Sequence, residues 1–199
     1  MMDIKVILKR LSKKRSVFHM EADFQLALFR EIAEVLGTSK DIYLEHLEGG
    51  KHIDIYIKNE NMDTAIEIKY KTTFNEKIIC PKTNEVFRLK KQSGQTYSRY
   101  DFWHDIERLQ ELVGAGNGKK RGFVLFLTND KSYWDPRYGA VENDFKTSHG
   151  RIFERGSVLT GNIKGKDKSV KIDYNYKINW EPYGEDGILK YLLVAIPPI

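Results

Sequence analysis

The sequence predicts a mixed α/β fold, a β-sheet flanked by helices, and three observations carry that reading. An amphipathic helix precedes a β-hairpin, a second helix follows the hairpin, and a continuous apolar run comes next, as expected of a strand buried on both faces. Phe24, Leu28, Ile32 and Val35 form one apolar stripe over residues 20–36, and Gly37 stops the helix. Ile53, Ile55 and Ile57 alternate with His52, Asp54 and Tyr56, while Ile66, Ile68 and Tyr70 alternate with Ala65, Glu67 and Lys69. The polar stretch 58–63 between the two runs reads as their turn. Residues 122–127, Gly-Phe-Val-Leu-Phe-Leu, are the buried strand.

The other elements are read in the same way. Ile4, Ile7, Leu8 and Leu11 have helical spacing with lysines between them, a short basic amphipathic helix. Ile78-Ile79 and Val86-Phe87 flank Pro81-Lys82-Thr83-Asn84, a second and exposed hairpin. Phe102, Ile106, Leu109 and Val113 make the stripe of a helix over 99–113. Val170, Ile172, Tyr174, Tyr176, Ile178 and Trp180 alternate as one long half-exposed strand, and 188–196 reads as a last strand or a short helix. The expected organisation is a basic N-terminal helix or arm over 1–18 and a single domain over 19–199. That domain has its core in 20–155 and a β extension, with extra C-terminal strands, in 156–199.

The chain has 199 residues, 41% of them hydrophobic, and one cysteine, which favours a single globular domain and excludes an internal disulfide. No apolar run approaches the ~18 residues of a membrane span, and Lys5, Lys9 and Arg10 interrupt any signal-peptide core. The expectation is a soluble cytoplasmic protein with no membrane partner. Net charge is +5, and residues 1–15 carry six bases against one acid, so the remainder is neutral. That neutrality conceals a division. Residues 21–67 hold eleven acids against four bases, 68–100 hold eight bases against two acids, and 146–171 hold seven against two. An acidic concentration suits a metal and basic stretches suit phosphate.

The first hairpin is the most informative element. With its turn centred between Glu60 and Asn61, Ile57 pairs with Thr64, Ile55 with Ile66, Ile53 with Ile68 and Asp54 with Glu67. A one-residue slip would scramble both faces. This register sets two carboxylates directly opposite, with Cβ atoms roughly 5 Å apart, an arrangement that is destabilising without a cation between them. A hard divalent ion takes carboxylate oxygens, waters and phosphate oxygens. Lys69 shares the Glu67 face, and Glu21 on the preceding helix is a further candidate acid.

Asp54, a turn, and then Glu67-Ile68-Lys69 resemble the core of the PD-(D/E)XK nuclease superfamily. Glu21-Ala22-Asp23-Phe24-Gln25, the stretch Arg99–Leu109, Phe126-Leu127-Thr128-Asn129-Asp130 and Tyr133-Trp134 resemble a bacterial branch of it, over roughly residues 20–155. The resemblance implies a restriction endonuclease-like sheet and Mg²⁺-dependent phosphodiester hydrolysis, with Mn²⁺ able to substitute. It carries metal binding onto Asp54, Glu67 and the Ile68 carbonyl, and catalytic roles onto Asp54, Glu67, Lys69 and Glu21. Nucleic acid is the implied partner, DNA ahead of RNA, and a DNA endonuclease the implied activity. Many nucleases with this core dimerise, so a homodimer is an open expectation. Two departures stand out: Ile53 replaces the proline often found before the first acid, and the glutamine–tyrosine pair of some branches reads here as Gln95 with Arg99 four residues on and Tyr100 five. Gln95 and Arg99 are candidates to hold the scissile phosphate. Lys71, Lys90 and Lys91, with Lys77, Lys82 and Arg88, would track the backbone. A non-catalytic nucleic-acid-binding or interaction module that kept the fold is the alternative from another class, and an enzyme acting on another phosphorylated substrate a third.

Overall fold

The computed structural model describes residues 2–80, 83–135 and 144–198. Pro81 and Lys82 of the second hairpin's turn lie outside them. Helix α1 (Ile4–Lys14) starts where the Asp3 carboxylate accepts the Lys5 N–H at 2.8 Å. Helix α2 (Glu21–Leu36) ends on Gly37, whose φ of 69° is the left-handed conformation a helix stop requires. Strands β1 (Ile42–Glu48), β2 (Lys51–Ile57) and β3 (Asp63–Lys71) follow, then the hairpin β4 (Asn75–Ile79) and β5 (Val86–Leu89). Helix α3 (Gln95–Gly114) leads into β6 (Lys120–Thr128). Beyond it lie β7 (Ile152–Phe153), β8 (Val158–Ile163), β9 (Lys166–Lys171), β10 (Tyr176–Lys177), β11 (Trp180–Tyr183) and β12 (Leu189–Ile196).

The central sheet has six strands in the order β1-β2-β3-β6-β12-β11. β3 and β6 run parallel and the other neighbours antiparallel, so the sheet is mixed. Its two faces carry separate cores. On one, Ile4, Leu8, Phe24 and Leu28 of α1 and α2 pack with Ile55, Ile66, Ile68 and Leu125. On the other, Phe102, Trp103 and Leu109 of α3 pack with Ala65, Val124 and Phe126, and the two-stranded sheets β7–β10 and β8–β9 add Phe153, Leu159 and Val170. Full burial of such a side chain contributes about 1.5–3 kcal/mol each. Among the described residues no helix is long and apolar enough to cross a membrane.

Several expectations change. The C-terminal strands β12 and β11 continue the central sheet, β12 pairing along β6 and β11 along β12. Residues 170–180 are not one strand. The chain turns between β9 and β10, where Gln110 of α3 accepts the Asp173 N–H at 3.0 Å and Asn175 accepts the Arg155 N–H at 2.8 Å. Apolar alternation continues through this break because each short piece buries one side against α3. Val35, placed on the α2 stripe, is exposed, and Glu31 is buried instead. Glu31 is covered by Arg10 at 2.6 Å and Lys14 at 2.7 Å from α1. With Lys5 on Glu181 and Arg15 on Asp23, most of the N-terminal positive charge is paired within the molecule. The N-terminal helix is thereby docked on the body through its charged side as well as its apolar one.

Candidate active site

The β2–β3 hairpin has the expected register at Ile55–Ile66, Tyr56–Ala65 and Ile57–Thr64. The ladder ends there. Asp54 and Glu67 do not form the next cross-strand pair; instead Asp54 Oδ2 accepts the Ile68 N–H at 2.6 Å. The Asp54 carboxylate thus occupies the place where a strand carbonyl would lie. Pairing with β1 also skips Asp54, opposite Glu45, whose φ of 49° breaks the extended backbone. Gln25 of α2 bridges the gap by donating to the Asp54 carbonyl at 2.8 Å and to Glu45 Oε1 at 2.7 Å. Beyond the break, Ile53 packs with the α3-side core rather than with Ile55, so the face assigned to it by strict alternation is corrected.

Glu67 is only 3% exposed and faces α3. Arg108 Nη2 lies 3.2 Å from its Oε1, yet that oxygen is buried without a hydrogen bond. The same Nη2 donates to the His52 carbonyl at 2.7 Å, and Nη1 donates to Asp105 Oδ1 at 3.1 Å. Lys69 Nζ sits 2.7 Å from Asp105 Oδ2. Glu67, Lys69, Asp105 and Arg108 therefore form one polar network between β3 and α3.

Electrostatics follow from this burial. Burial pushes the Glu67 carboxyl up to about 9, Asp105 and Asp54 add to the rise, and Arg108 and Lys69 oppose it. Burial likewise raises Asp54 to about 6, against the Ile68 N–H and Lys69, which favour its charged form. For Lys69, burial works against the ammonium, but the charge and hydrogen bond of Asp105 outweigh it and raise its pKa. Lys69 is held as a cation, an arrangement that favours donation over proton abstraction.

The other predicted residues are distributed around this centre. Glu21, in the first turn of α2, accepts the Tyr70 N–H at 2.7 Å and so caps β3 one residue beyond Lys69. Gln95 opens α3 and donates to Asp130 Oδ2 at 3.2 Å. Arg99 is 5% exposed, donates to the Ser132 carbonyl at 2.6 Å and lies over the Tyr133 ring. The fold uses Arg99 to anchor the loop after β6. Lys71 ends β3, and Thr72 binds the Lys90 carbonyl and the Gln92 side chain, both at 2.8 Å. Lys71, exposed Lys90 and exposed Lys91 are thus gathered beyond the same end of β3.

Asp105 and Arg108 were not singled out by sequence reasoning. Their signal was present: Asp101, Asp105 and Arg108 recur at helical spacing and make a polar stripe beside the apolar one. Nothing in a helical stripe says which strand residues it will meet.

A divalent ion would find hard oxygen donors in Asp54 and Glu67, and the orphaned Glu67 Oε1 is the observation that fits one. Among the described residues no group of three or more His, Cys, Asp or Glu side chains is arranged as a metal cage. A two-carboxylate site completed by water and substrate is the form that magnesium commonly takes. No family model, curated protein or solved structure matches the chain.

Proposed function

We propose that this protein hydrolyses phosphodiester bonds of nucleic acid with Mg²⁺ or Mn²⁺, as a DNA endonuclease first, on a restriction endonuclease-like core. The observation that carries the reading is the parting of the hairpin at Asp54, which sets one carboxylate between the strands beside a buried, unsatisfied Glu67 and a cationic Lys69. Of these groups Glu67 Oε1 accepts no hydrogen bond although Arg108 stands 3.2 Å away, and a buried polar atom left without one costs about 1–3 kcal/mol. The order α2-β1-β2-β3-β4-β5-α3-β6, with the hairpin β4–β5 outside the central sheet and β3 parallel to β6, supports the fold part of the reading.

In this reading Asp54 and Glu67, with the Ile68 carbonyl, hold the ion. When bound, the ion supplies neutralisation of charge at the attacked phosphate and acidification of water. Lys69, aligned by Asp105, donates to the oxygen on which negative charge builds. Glu21 fixes the β3 backbone through Tyr70. Lys71, Lys90 and Lys91 take neighbouring phosphates, so binding weakens steeply with salt.

One observation favours a second reading, a non-catalytic nucleic-acid-binding module: Arg108 and Lys69 already stand against Glu67 and Asp105. Cleavage separates the two. Labelled single-stranded, duplex and branched DNA and a supercoiled plasmid are incubated with Mg²⁺ or Mn²⁺ and with EDTA. Metal-dependent cleavage that is lost in Asp54→Ala is the expected result. Cleavage that survives Asp54→Ala removes the assignment, and no cleavage of any substrate favours the binding module.

A further inference from the structure

The β8–β9 hairpin carries a basic surface that the proposed chemistry does not use. Residues 158–171 hold four lysines and a single acid, Asp167. That acid accepts a hydrogen bond from Asn162 at 2.9 Å. Lys171 has Asp173 at 3.0 Å. Among the described residues no carboxylate lies within ion-pair distance of Lys164, Lys166 or Lys168. Lys166 and Lys168 are two apart on one strand and share a face.

The hairpin is rigidly placed. Its turn, Lys164-Gly165, has φ of 53° and 79°, the doubly left-handed geometry of a two-residue hairpin turn, and the Asn162 side chain accepts the Gly165 N–H. Leu159, Ile163 and Val170 are buried in the α3-side core. At the far end Glu107 and Gln110 of α3 bind the Lys171 N–H and carbonyl at 2.7 and 2.9 Å. The hairpin therefore lies along α3 with its lysines over aromatic rings. Lys164 Nζ is 5.1 Å from the Tyr97 ring centre and Lys168 Nζ 5.6 Å from that of Tyr100. Tyr100 stacks on His104 at an interplanar angle of 28°, and Tyr97 is 45% exposed.

Tyr97, Tyr100 and His104 form one stripe of α3, and Asp101, Asp105 and Arg108 form the stripe beside it, one residue round the helix. Asp105 of the second stripe stands 2.7 Å from Lys69, so the Tyr97–Tyr100–His104 stripe runs beside the candidate site. Lysines for a phosphate chain beside an exposed aromatic ring, that of Tyr97, for an unpaired base are the two parts of a single-strand binding surface, because base stacking on a ring requires a base that is not paired within a duplex.

We propose that the β8–β9 hairpin and the Tyr97–Tyr100–His104 stripe bind a single-stranded segment of nucleic acid, with Lys164, Lys166 and Lys168 on its phosphates and Tyr97 under a base. This rests on nucleic acid being the partner and names its form: a strand end, a loop or an unwound stretch leading to Lys69.

Fluorescence anisotropy in EDTA, with a labelled oligothymidine and a duplex of equal length, tests binding without chemistry. The single strand binds tighter. K164Q/K166Q/K168Q lowers the salt slope of its binding by about 2, from ~0.7 per lost phosphate contact. Tyr97→Ala weakens it about fivefold or more, the effect of one lost stacking platform. Unchanged melting temperatures show that these surface variants fold. A preference for duplex, or single-strand binding with the same salt slope and affinity in both variants, overturns the proposal. Absence of all binding also overturns it. Cleavage with Mg²⁺ is scored separately on the same oligonucleotides. Cleavage that persists in the variants with unchanged KM removes this surface alone, whereas binding without cleavage removes the nuclease reading alone.

Discussion

Lys69→Ala lowers metal-dependent cleavage by at least about 100-fold, the usual cost of removing one donor aimed at transition-state charge. The expectation rests on where Lys69 is held. Its Nζ is 2.7 Å from Asp105, and that carboxylate raises the lysine pKa, so the side chain is a fixed cation throughout the neutral range. A fixed cation contributes where charge develops, and the loss therefore falls on kcat. The fold survives the change, because Asp105 retains Arg108 at 3.1 Å. Lys69→Arg recovers only part of the rate, since a planar guanidinium cannot place its donors where one ammonium stood. Lys71→Ala, two residues along the same strand, behaves differently: it weakens binding and its salt dependence while kcat is kept. Single-turnover and steady-state rates of the three variants separate these outcomes. Equal losses in Lys69→Ala and Lys71→Ala would reduce Lys69 to a phosphate contact.

Glu67→Gln has the opposite effect on stability and on activity. In the folded protein the Glu67 carboxyl titrates at about 9, against an ordinary value of 4.5. The folded state therefore binds more protons than the unfolded state between those two values, and stability falls as pH rises through that window. Below 4.5 the Glu67 contribution is fully present; above 9 the buried carboxylate carries its full penalty. Glutamine is neutral at every pH and nearly the same shape. The variant is accordingly more stable at pH 8, by about 1–3 kcal/mol if the penalty is that of a buried unsatisfied group. For a chain of this length each kcal/mol moves the melting temperature by roughly 2–4 °C. Melting curves from pH 5 to 9 show the wild type losing ground to Glu67→Gln as pH rises, while the variant has no metal-dependent cleavage. A variant less stable than wild type at pH 8 would mean that Glu67 is held charged by Arg108 as a structural ion pair.

Much of the fold was legible because it is written in periodicity. The stripe on α3, the alternation of β2 and β3, and the apolar run of β6 each bury one side or both against a neighbour, and local patterns record that directly. The register of the first hairpin was legible for the same reason, since a slip would expose its isoleucines. What failed was continuity. Strict alternation put Asp54 opposite Glu67, but alternation cannot report that the Asp54 side chain takes the Ile68 N–H and ends the ladder. Likewise the period-two pattern over 170–180 ran on through a turn held by Gln110 and Asn175. Partners from distant elements were the other blind spot. Ser132 and Tyr133, which Arg99 meets, and Glu31 and Asp23, which the charges of α1 and its C-cap meet, all lie in other elements. Asp105 and Arg108 gain meaning only from the β3 residues they face.

Calorimetric titration with Mn²⁺ tests the proposed divalent-ion site at Asp54 and Glu67. Burial pushes the Glu67 carboxyl up to about 9, so an ion that binds it at neutral pH displaces a proton. The account predicts saturable binding with close to one proton released per ion, measured from the difference between two buffers of unlike ionisation heat. It also predicts that affinity rises with pH towards 9, and that binding is lost in Asp54→Ala and Glu67→Gln. Binding that is unchanged in both variants, or no saturable binding to the wild type with or without oligonucleotide, would contradict it.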